Sequence, residues 1–418
     1  MTFDLATGGR PVVDERTSLP DGDEAPASLP AVGHVVRTYL PRTATFIYSL
    51  LLNQRGFEPV VFTREIVNRE EFPLEHVFEL LPRPGRTLGQ RVGTRLRAHL
   101  AGYRTVFDQR LATGARDKEC VLLHAHFGVQ GCRSLAARRR LDLPLITTFY
   151  GYDLAVPLRE RSWRRRYQRL FTEGTLFVCE GPAMAKQLEA IGCPAERIRI
   201  VRIGVDIEQI PFDPLPPDGP PTLIQAARLV DKKGVDVSLR AFAAARAELG
   251  GGRLLIVGVG PERPRLEALA RELGLGESVT FLGSLAYGDY QQALRQADIG
   301  IQPSRTAENG DTEGGAPTVL IEMQAAGMPV LGTRHADLPF VVAEHDQLVD
   351  EEDADGLAAA LVRLAELPRD RWLSRVSEAR AFVEREHDAK RVAARVEDVY
   401  REALVDEAGA GSRHGGDG

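Results

Sequence analysis

Three short stretches in the second half of the chain carry residue types suited to holding a phosphorylated ligand. Arg228 and Lys233 lie in Ala227-Arg-Leu-Val-Asp-Lys-Lys-Gly234, which follows an apolar strand pattern and leads into a helical one. Paired cations at a strand end, ahead of a helix amino terminus, suit a diphosphate, although a solvated charged loop would look the same. Gly258 and Gly260 in Val257-Gly-Val-Gly-Pro261 close the next strand, and two glycines let a phosphate or sugar approach the backbone. The turn is a poor dinucleotide fingerprint, because Pro261 and Arg263 stand where GxGxxG wants its later glycine, and no GxxxxGK[ST] occurs. In the third stretch, Glu313-Gly-Gly315-Ala316-Pro317-Thr318-Val319-Leu-Ile-Glu322, a small-residue loop runs into an apolar helix. N–H groups at that helix start suit a phosphate. Glu322, about one turn in, could reach a ribose diol, and Glu313 could hold sugar hydroxyls beside a reacting carbon. Taken singly the stretch also reads as an acidic loop capping a helix. Three such loops at successive strand ends point to a nucleotide site.

The first half offers His124 and His126, two apart at the end of a strand and so on one face, as in a metal-binding HxH. No further ligand set accompanies them and no metal is expected. The next strand ends in Thr147-Thr-Phe-Tyr150-Gly-Tyr152-Asp153, where Tyr150, Tyr152 and Asp153 could contact sugar hydroxyls or simply form a packing corner. Arg159, Arg161, Arg164, Arg165, Arg166 and Arg169, interleaved with Trp163 and Tyr167, read either as a solvated helix face or as a surface for anionic lipid headgroups.

Placing these residues requires alternating strands and helices, and the chain supplies them. Strand patterns fall at 32–39, 60–63, 76–81, 121–125, 144–149, 176–179 and 198–202, then at 222–227, 253–257, 279–282, 299–302 and 330–332. Helical patterns between them include 45–54, 88–111, 130–140, 163–171, 235–248, 263–273, 290–296 and 319–326. Proline-rich 211–221 is neither helix nor central strand and reads as a linker. The pattern predicts an α/β protein of two Rossmann-like, doubly wound domains, 31–210 and 211–387, facing across a cleft that holds the ligand. Residues 1–30 and 406–418 read as disordered tails.

The net charge of −6 hides an asymmetry, for 83–169 holds 19 Lys/Arg against 6 Asp/Glu. That segment suits an anionic partner such as a membrane surface, whereas nucleic acid is not expected without a recognition motif. No apolar run approaches the ~20 residues of a spanning helix. The start lacks signal-peptide character, and four cysteines without paired spacing read as free thiols. Together these predict a cytoplasmic protein with peripheral contact at the inner membrane face.

The run 227–234, the Gly258–Pro261 turn and Glu313–Glu322 followed by Ala325-Ala-Gly-Met-Pro-Val330 resemble the donor domain of family 4 of the glycosyltransferases, retaining enzymes of the GT-B fold. His124-Ala-His-Phe-Gly128, Phe149-Tyr-Gly-Tyr-Asp153, Glu180-Gly-Pro-Ala-Met184, Gly204-Val-Asp206, Gly310–Pro317 and Arg334-His-Ala-Asp-Leu-Pro339 resemble its exopolysaccharide and colanic-acid branch. The resemblance covers about 32–404. It implies a nucleotide-sugar donor bound without a metal or other cofactor. Arg228, Lys233 and the N–H groups of Thr318 and Val319 would hold the diphosphate, Glu322 the ribose and Glu313 the donor sugar. His126 and Tyr150 would lie at the reacting centre. The acceptor would be a glycan, lipid-linked in polysaccharide assembly, and Thr45 stands in a Ser-x-Thr-Phe-like segment at its side. A final helix, 388–405, would cross back to the first domain. Glu313 and Glu322 are nine positions apart where the family has eight, and Tyr150 stands where many members carry histidine.

A small-molecule glycosyltransferase, a nicotinamide-dependent oxidoreductase and a catalytically silent nucleotide-sugar-binding protein are the competing readings. The oxidoreductase is disfavoured by the broken fingerprint and the missing ribose carboxylate.

Overall fold

The computed structural model describes residues 28–41, 44–80, 103–155, 157–214, 216–315 and 317–411. The tails at 1–27 and 412–418, the basic stretch 83–102 and Ala316 lie outside the described residues.

Seven strands form the first sheet: β1 (Ala31–Tyr39), β2 (Glu58–Ile66), β3 (Val77–Glu79), β4 (Cys120–His126), β5 (Leu145–Thr148), β6 (Leu176–Cys179) and β7 (Ile198–Ile200). Their order is β3-β2-β1-β4-β5-β6-β7 and every pairing is parallel. The second sheet contains β8 (Thr222–Ala226), β9 (Arg253–Val257), β10 (Val279–Gly283), β11 (Ile299–Gln302), β12 (Val330–Thr333) and β13 (Leu348–Val349), in the order β10-β9-β8-β11-β12-β13. It too is parallel throughout. Strands covered on both faces read as near-continuous apolar runs, which is why most were legible in the sequence. The edge strand β3 falls within the pattern at 76–81, whereas the two-residue β13 is too short to show a period.

Helices connecting the first sheet are α1 (Thr45–Asn53), α2 (Tyr103–Asp117), α3 (Gly128–Leu141), α4 (Gly151–Ala155), α5 (Arg161–Glu173) and α6 (Pro182–Ala190). Around the second sheet lie α7 (Val235–Ala245), α8 (Arg263–Glu272), α9 (Tyr287–Arg295), α10 (Thr318–Ala325), α11 (Ala354–Ala365) and α12 (Arg369–Glu386). One face of the first sheet packs Phe62, Leu123, Phe149 and Phe177 against Leu111, Tyr167 and Leu170. In the second sheet, Leu223, Leu254, Ile256 and Ile299 pack against Phe242, Leu361 and Trp372.

The last helix, α13 (Ala389–Gly411), returns to the first sheet, where Val392, Val396 and Tyr400 pack on Val32, Leu122, Ile146 and Val178. Where the chain crosses back, Val205 N donates to His387 O at 2.9 Å and Ala389 N to Val205 O at 3.0 Å. α13 runs past residue 405, the end expected from the sequence. An established helix extends cheaply through the Ala and Glu of 403–410, where an isolated segment of that composition would read as a tail.

Strand order reverses between β1 and β4 and again between β8 and β11. At such switch points the strand-end loops diverge and leave a crevice.

Candidate functional site

The loop after β8 turns through a 3-10 segment at Asp231–Lys233 and enters α7 through Gly234, whose φ is 62°. A side chain at Gly234 would collide with the Pro303 carbonyl, so glycine is required there. Gln225 Nε2 donates to Lys233 O at 2.7 Å and holds the turn. Arg228 is exposed, and none of the described residues forms an ion pair with it. Lys233 is largely buried and pairs with Glu313. Burial alone would raise the Glu313 carboxyl, but Lys233 and Lys232 outweigh it and hold it below the usual carboxylate range.

The same cluster contains residues that the motif reading passed over. Lys232 Nζ donates to Asp311 Oδ1 at 3.2 Å and to Thr312 O at 2.9 Å. Ser304 Oγ reaches Glu313 Oε1 at 3.3 Å. His335 Nδ1 donates to Glu351 Oε1 at 2.7 Å, which leaves Nε2 to accept from Glu313 N at 3.2 Å and Thr312 Oγ1 at 2.9 Å. His335 was visible as part of Arg334–Pro339, but nothing local showed that it clamps the Glu313 turn.

Pro317 precedes the first turn of α10, which presents the N–H groups of Thr318 and Val319. Glu322 follows one turn on, near Tyr290 and Tyr287 at a small cavity of about 30 Å³ that Ile210, Leu294 and Ala326 help to line. Burial pushes its carboxyl up to about 7. Gly258 and Gly260 are explained by the protein's own backbone: side chains there would fall on the carbonyls of Ala227 and Leu229. The glycine turn therefore buttresses the Arg228 loop.

Across the crevice, Tyr150 is buried between Phe46 and Phe127, with ring centroids 4.9 and 4.7 Å away. Its hydroxyl is turned inward to His126 Nδ1 at 2.9 Å. His126 Nε2 meets His34 Nδ1 at 3.0 Å, and His34 Nε2 lies 3.3 to 3.4 Å from the Gln54 amide. Gln54 Nε2 donates to Tyr400 Oη at 3.0 Å; that hydroxyl meets His124 Nδ1 at 2.7 Å, and His124 Nε2 meets Thr148 Oγ1 at 2.7 Å. Burial lowers all three imidazoles, His34 to about 3, so the cluster is uncharged. Ring nitrogens of His34, His124 and His126 lie within 4.8 Å of one another, a spacing that would suit a metal. Both nitrogens of each ring already have partners, however, and the group is a satisfied hydrogen-bond network. His34 had one legible signal, a polar residue inside the apolar run of β1.

Two of the expected sugar contacts, Asp153 and Tyr150, have partners within the protein. Asp153 is fully buried, and its carboxylate accepts from Gly128 N and Tyr150 N, each at 3.0 Å, so it ties two strand-end turns together. Tyr150 offers its hydroxyl to His126 because the ring is wedged between two aromatic neighbours. Thr45, half-buried, opens α1. Tyr152 belongs to α4, and its side chain lies outside the described residues.

The two sheets meet through named contacts. Asp337 accepts from Ala183 N at 2.8 Å and Met184 N at 3.1 Å, so a carboxylate after β12 caps α6 of the other half. Gly314 backs onto Gly151 with no room for a side chain on either, and a Cβ on Gly315 would fall on the Glu180 carboxylate.

Two parallel α/β units with a cation- and carboxylate-lined crevice at their strand ends define the GT-B class of glycosyltransferase folds. Residues 45–209 match the family described as Glycosyltransferase Family 4, and 206–387 match Glycosyl transferases group 1. The two stretches overlap at 206–209 and together match residues 45–387 to glycosyltransferase families. It is 34% identical over 273 residues to the colanic acid biosynthesis glycosyltransferase candidate WcaL of Escherichia coli K12, covering 63% of this chain and 66% of that one. It is 32% identical over 269 residues to the amylovoran biosynthesis glycosyltransferase AmsK of Erwinia amylovora, covering 62% and 65%. The matched region thus spans just under two thirds of each relative. Anabaena Alr3699/HepE, solved with UDP and glucose, superposes with a TM-score of 0.70 at 18% identity over 88% of this chain and 99% of that one. At that identity the likeness concerns the fold.

Proposed function

We propose that this chain is a retaining glycosyltransferase that moves a sugar from a nucleotide-sugar donor to a hydroxyl of a lipid-linked glycan in exopolysaccharide or cell-surface polysaccharide synthesis. The observation that carries the reading is the buried Lys233–Glu313 pair, with Arg228 and the first turn of α10 at the ends of the same sheet. The colanic acid and amylovoran settings of WcaL and AmsK support the polysaccharide reading.

In such a transfer the acceptor oxygen attacks the anomeric carbon on the face from which the nucleotide leaves. The bond from that carbon to the phosphate oxygen breaks, and the acceptor proton passes to the departing diphosphate. The protein's part is to position the reactants and stabilise the diphosphate charge. Arg228 and Lys233 supply fixed positive charge, Thr318 and Val319 N–H donors, Glu322 a ribose contact and Glu313 a sugar contact. The exposed Arg161, Arg164, Arg165 and Arg169 of α5 support peripheral contact with an anionic membrane on the acceptor side, at the cytoplasmic face.

The inward-turned Tyr150 hydroxyl and the buried Asp153 favour a second reading, a nucleotide-sugar-binding protein without transfer. Thermal-shift titration with UDP, GDP, ADP, CDP and dTDP in EDTA, followed by transfer assays, separates the two. A shift from one nucleotide, lost in Arg228→Ala/Lys233→Ala, supports the site. Binding without transfer or hydrolysis favours the second reading, and no shift from folded protein removes both.

A further inference from the structure

Glu180 belongs to the Glu180–Met184 motif, yet none of the roles above uses it. It follows β6 in the first half of the chain, is buried, and lies against the Gly314–Gly315 turn of the second half. A Cβ on Gly315 would collide with Glu180 Oε2 and lie 2.6 Å from Oε1, so the turn takes this path only because residue 315 has no side chain. Beside it, a Cβ on Gly151 would lie 2.8 Å from Gly314 Cα, closing the other flank of the same turn. Glu180 is also near enough to act electrostatically on Tyr150. One carboxylate of the first half thus meets the turn that immediately follows Glu313, while Arg228, Lys233 and Glu322 all belong to the second half.

We propose that Glu180 is a positioning residue for the donor sugar: closure of the two halves presses its carboxylate onto the Gly314–Gly315 turn and so aligns Glu313 on the sugar of the donor. The inference rests on the donor-site reading above. Nucleoside diphosphate would bind to second-half groups alone, whereas the additional affinity from the sugar would require the first half to be in place.

The test is calorimetric titration of UDP, GDP, ADP, CDP and dTDP, each beside its glucose or mannose nucleotide, into wild type, Glu180→Gln and Glu180→Asp. Glu180→Gln keeps the shape and removes the charge; Glu180→Asp keeps the charge but falls short of the turn, and covers the case in which the first variant does not fold. In both variants the diphosphate that binds wild type should keep its affinity within about twofold, while the preference for its sugar nucleotide falls by about tenfold. A merely structural role would weaken both ligands equally. An unchanged preference in folded variants, or weakening of both ligands in parallel, overturns the inference and leaves the donor site standing. Wild type that binds none of the five diphosphates removes the inference together with the donor-site reading.

Discussion

Lys233, at the turn into α7, and Glu313, in the loop ahead of α10, form a buried ion pair although the chain between them contains three strands of the second sheet. Two residues expected to hold different parts of one donor therefore hold each other. A diphosphate reaching Lys233 would exchange one anionic partner for another, so the lysine needs no change of charge to receive it.

Lys233→Ala should lower transfer by at least about 100-fold, because a charge-assisted contact to a leaving diphosphate strengthens in the transition state. It also leaves Glu313 buried without its main cation, a change worth about 3–5 kcal/mol for a fully buried pair. Steady-state turnover and denaturant unfolding of the same preparation check both parts. Wild-type turnover in the variant would remove Lys233 from the site.

Glu322 provides a pH test. Its folded pKa, about 7, lies above the ordinary 4.5. Between those values the folded protein keeps a proton that the unfolded chain releases, so this group costs stability as pH rises. Glu322→Gln should raise the melting temperature more at about pH 8 than at about pH 5, and weaken nucleotide binding roughly tenfold by loss of a charged acceptor. Melting curves at the two pH values, with nucleotide titration, read both.

Tyr400→Phe removes one hydroxyl from the network that joins α13 to Gln54 and His124. The ring can keep its edge-on contact with Phe57, at 5.3 Å, so packing is preserved. Two buried polar groups lose a partner, and unfolding in urea should show a loss of about 1–3 kcal/mol. A smaller change would mean that water replaces the hydroxyl.

The buried histidines predict acid sensitivity. His34 and His387 are lowered to about 3 and about 4, and His124 and His126 are lowered as well. Once unfolded, each takes up a proton below about 6.5, so their contribution is present above that pH and is lost as pH falls. His34→Gln should flatten the dependence of unfolding free energy on pH below about 6.5 by up to one proton. Denaturant titrations at several pH values measure that slope, and an unchanged slope would mean that His34 is charged in the fold.

How much was legible in the sequence differs by kind of interaction. β6, β9 and β11 were read to the residue, because a buried strand is a local run of apolar residues bounded by turn formers. The Arg228, Lys233, Glu313 and Thr318 loops were legible for a similar reason: their residue types sit at fixed offsets from strand ends. Helices α6, α11 and α12 went unassigned, and the carboxyl ends of α2 and α13 were misplaced, because tertiary packing decides where a helix stops.

What the sequence by itself determined was the alternation of elements, the double sheet, and the loops that carry cations, carboxylates and small residues. Only the tertiary structure decided that Lys233 faces Glu313, that His34, Gln54 and Tyr400 meet beneath Tyr150, and that Glu180 and Asp337 bridge the two halves. It also sent Asp153 inward as a tie between two turns. The physical reason is range. Periodicity and turn chemistry act over a few residues along the chain, whereas the partner of a buried polar group is chosen by which elements pack together, and here those elements lie as far apart in sequence as β1 and α13.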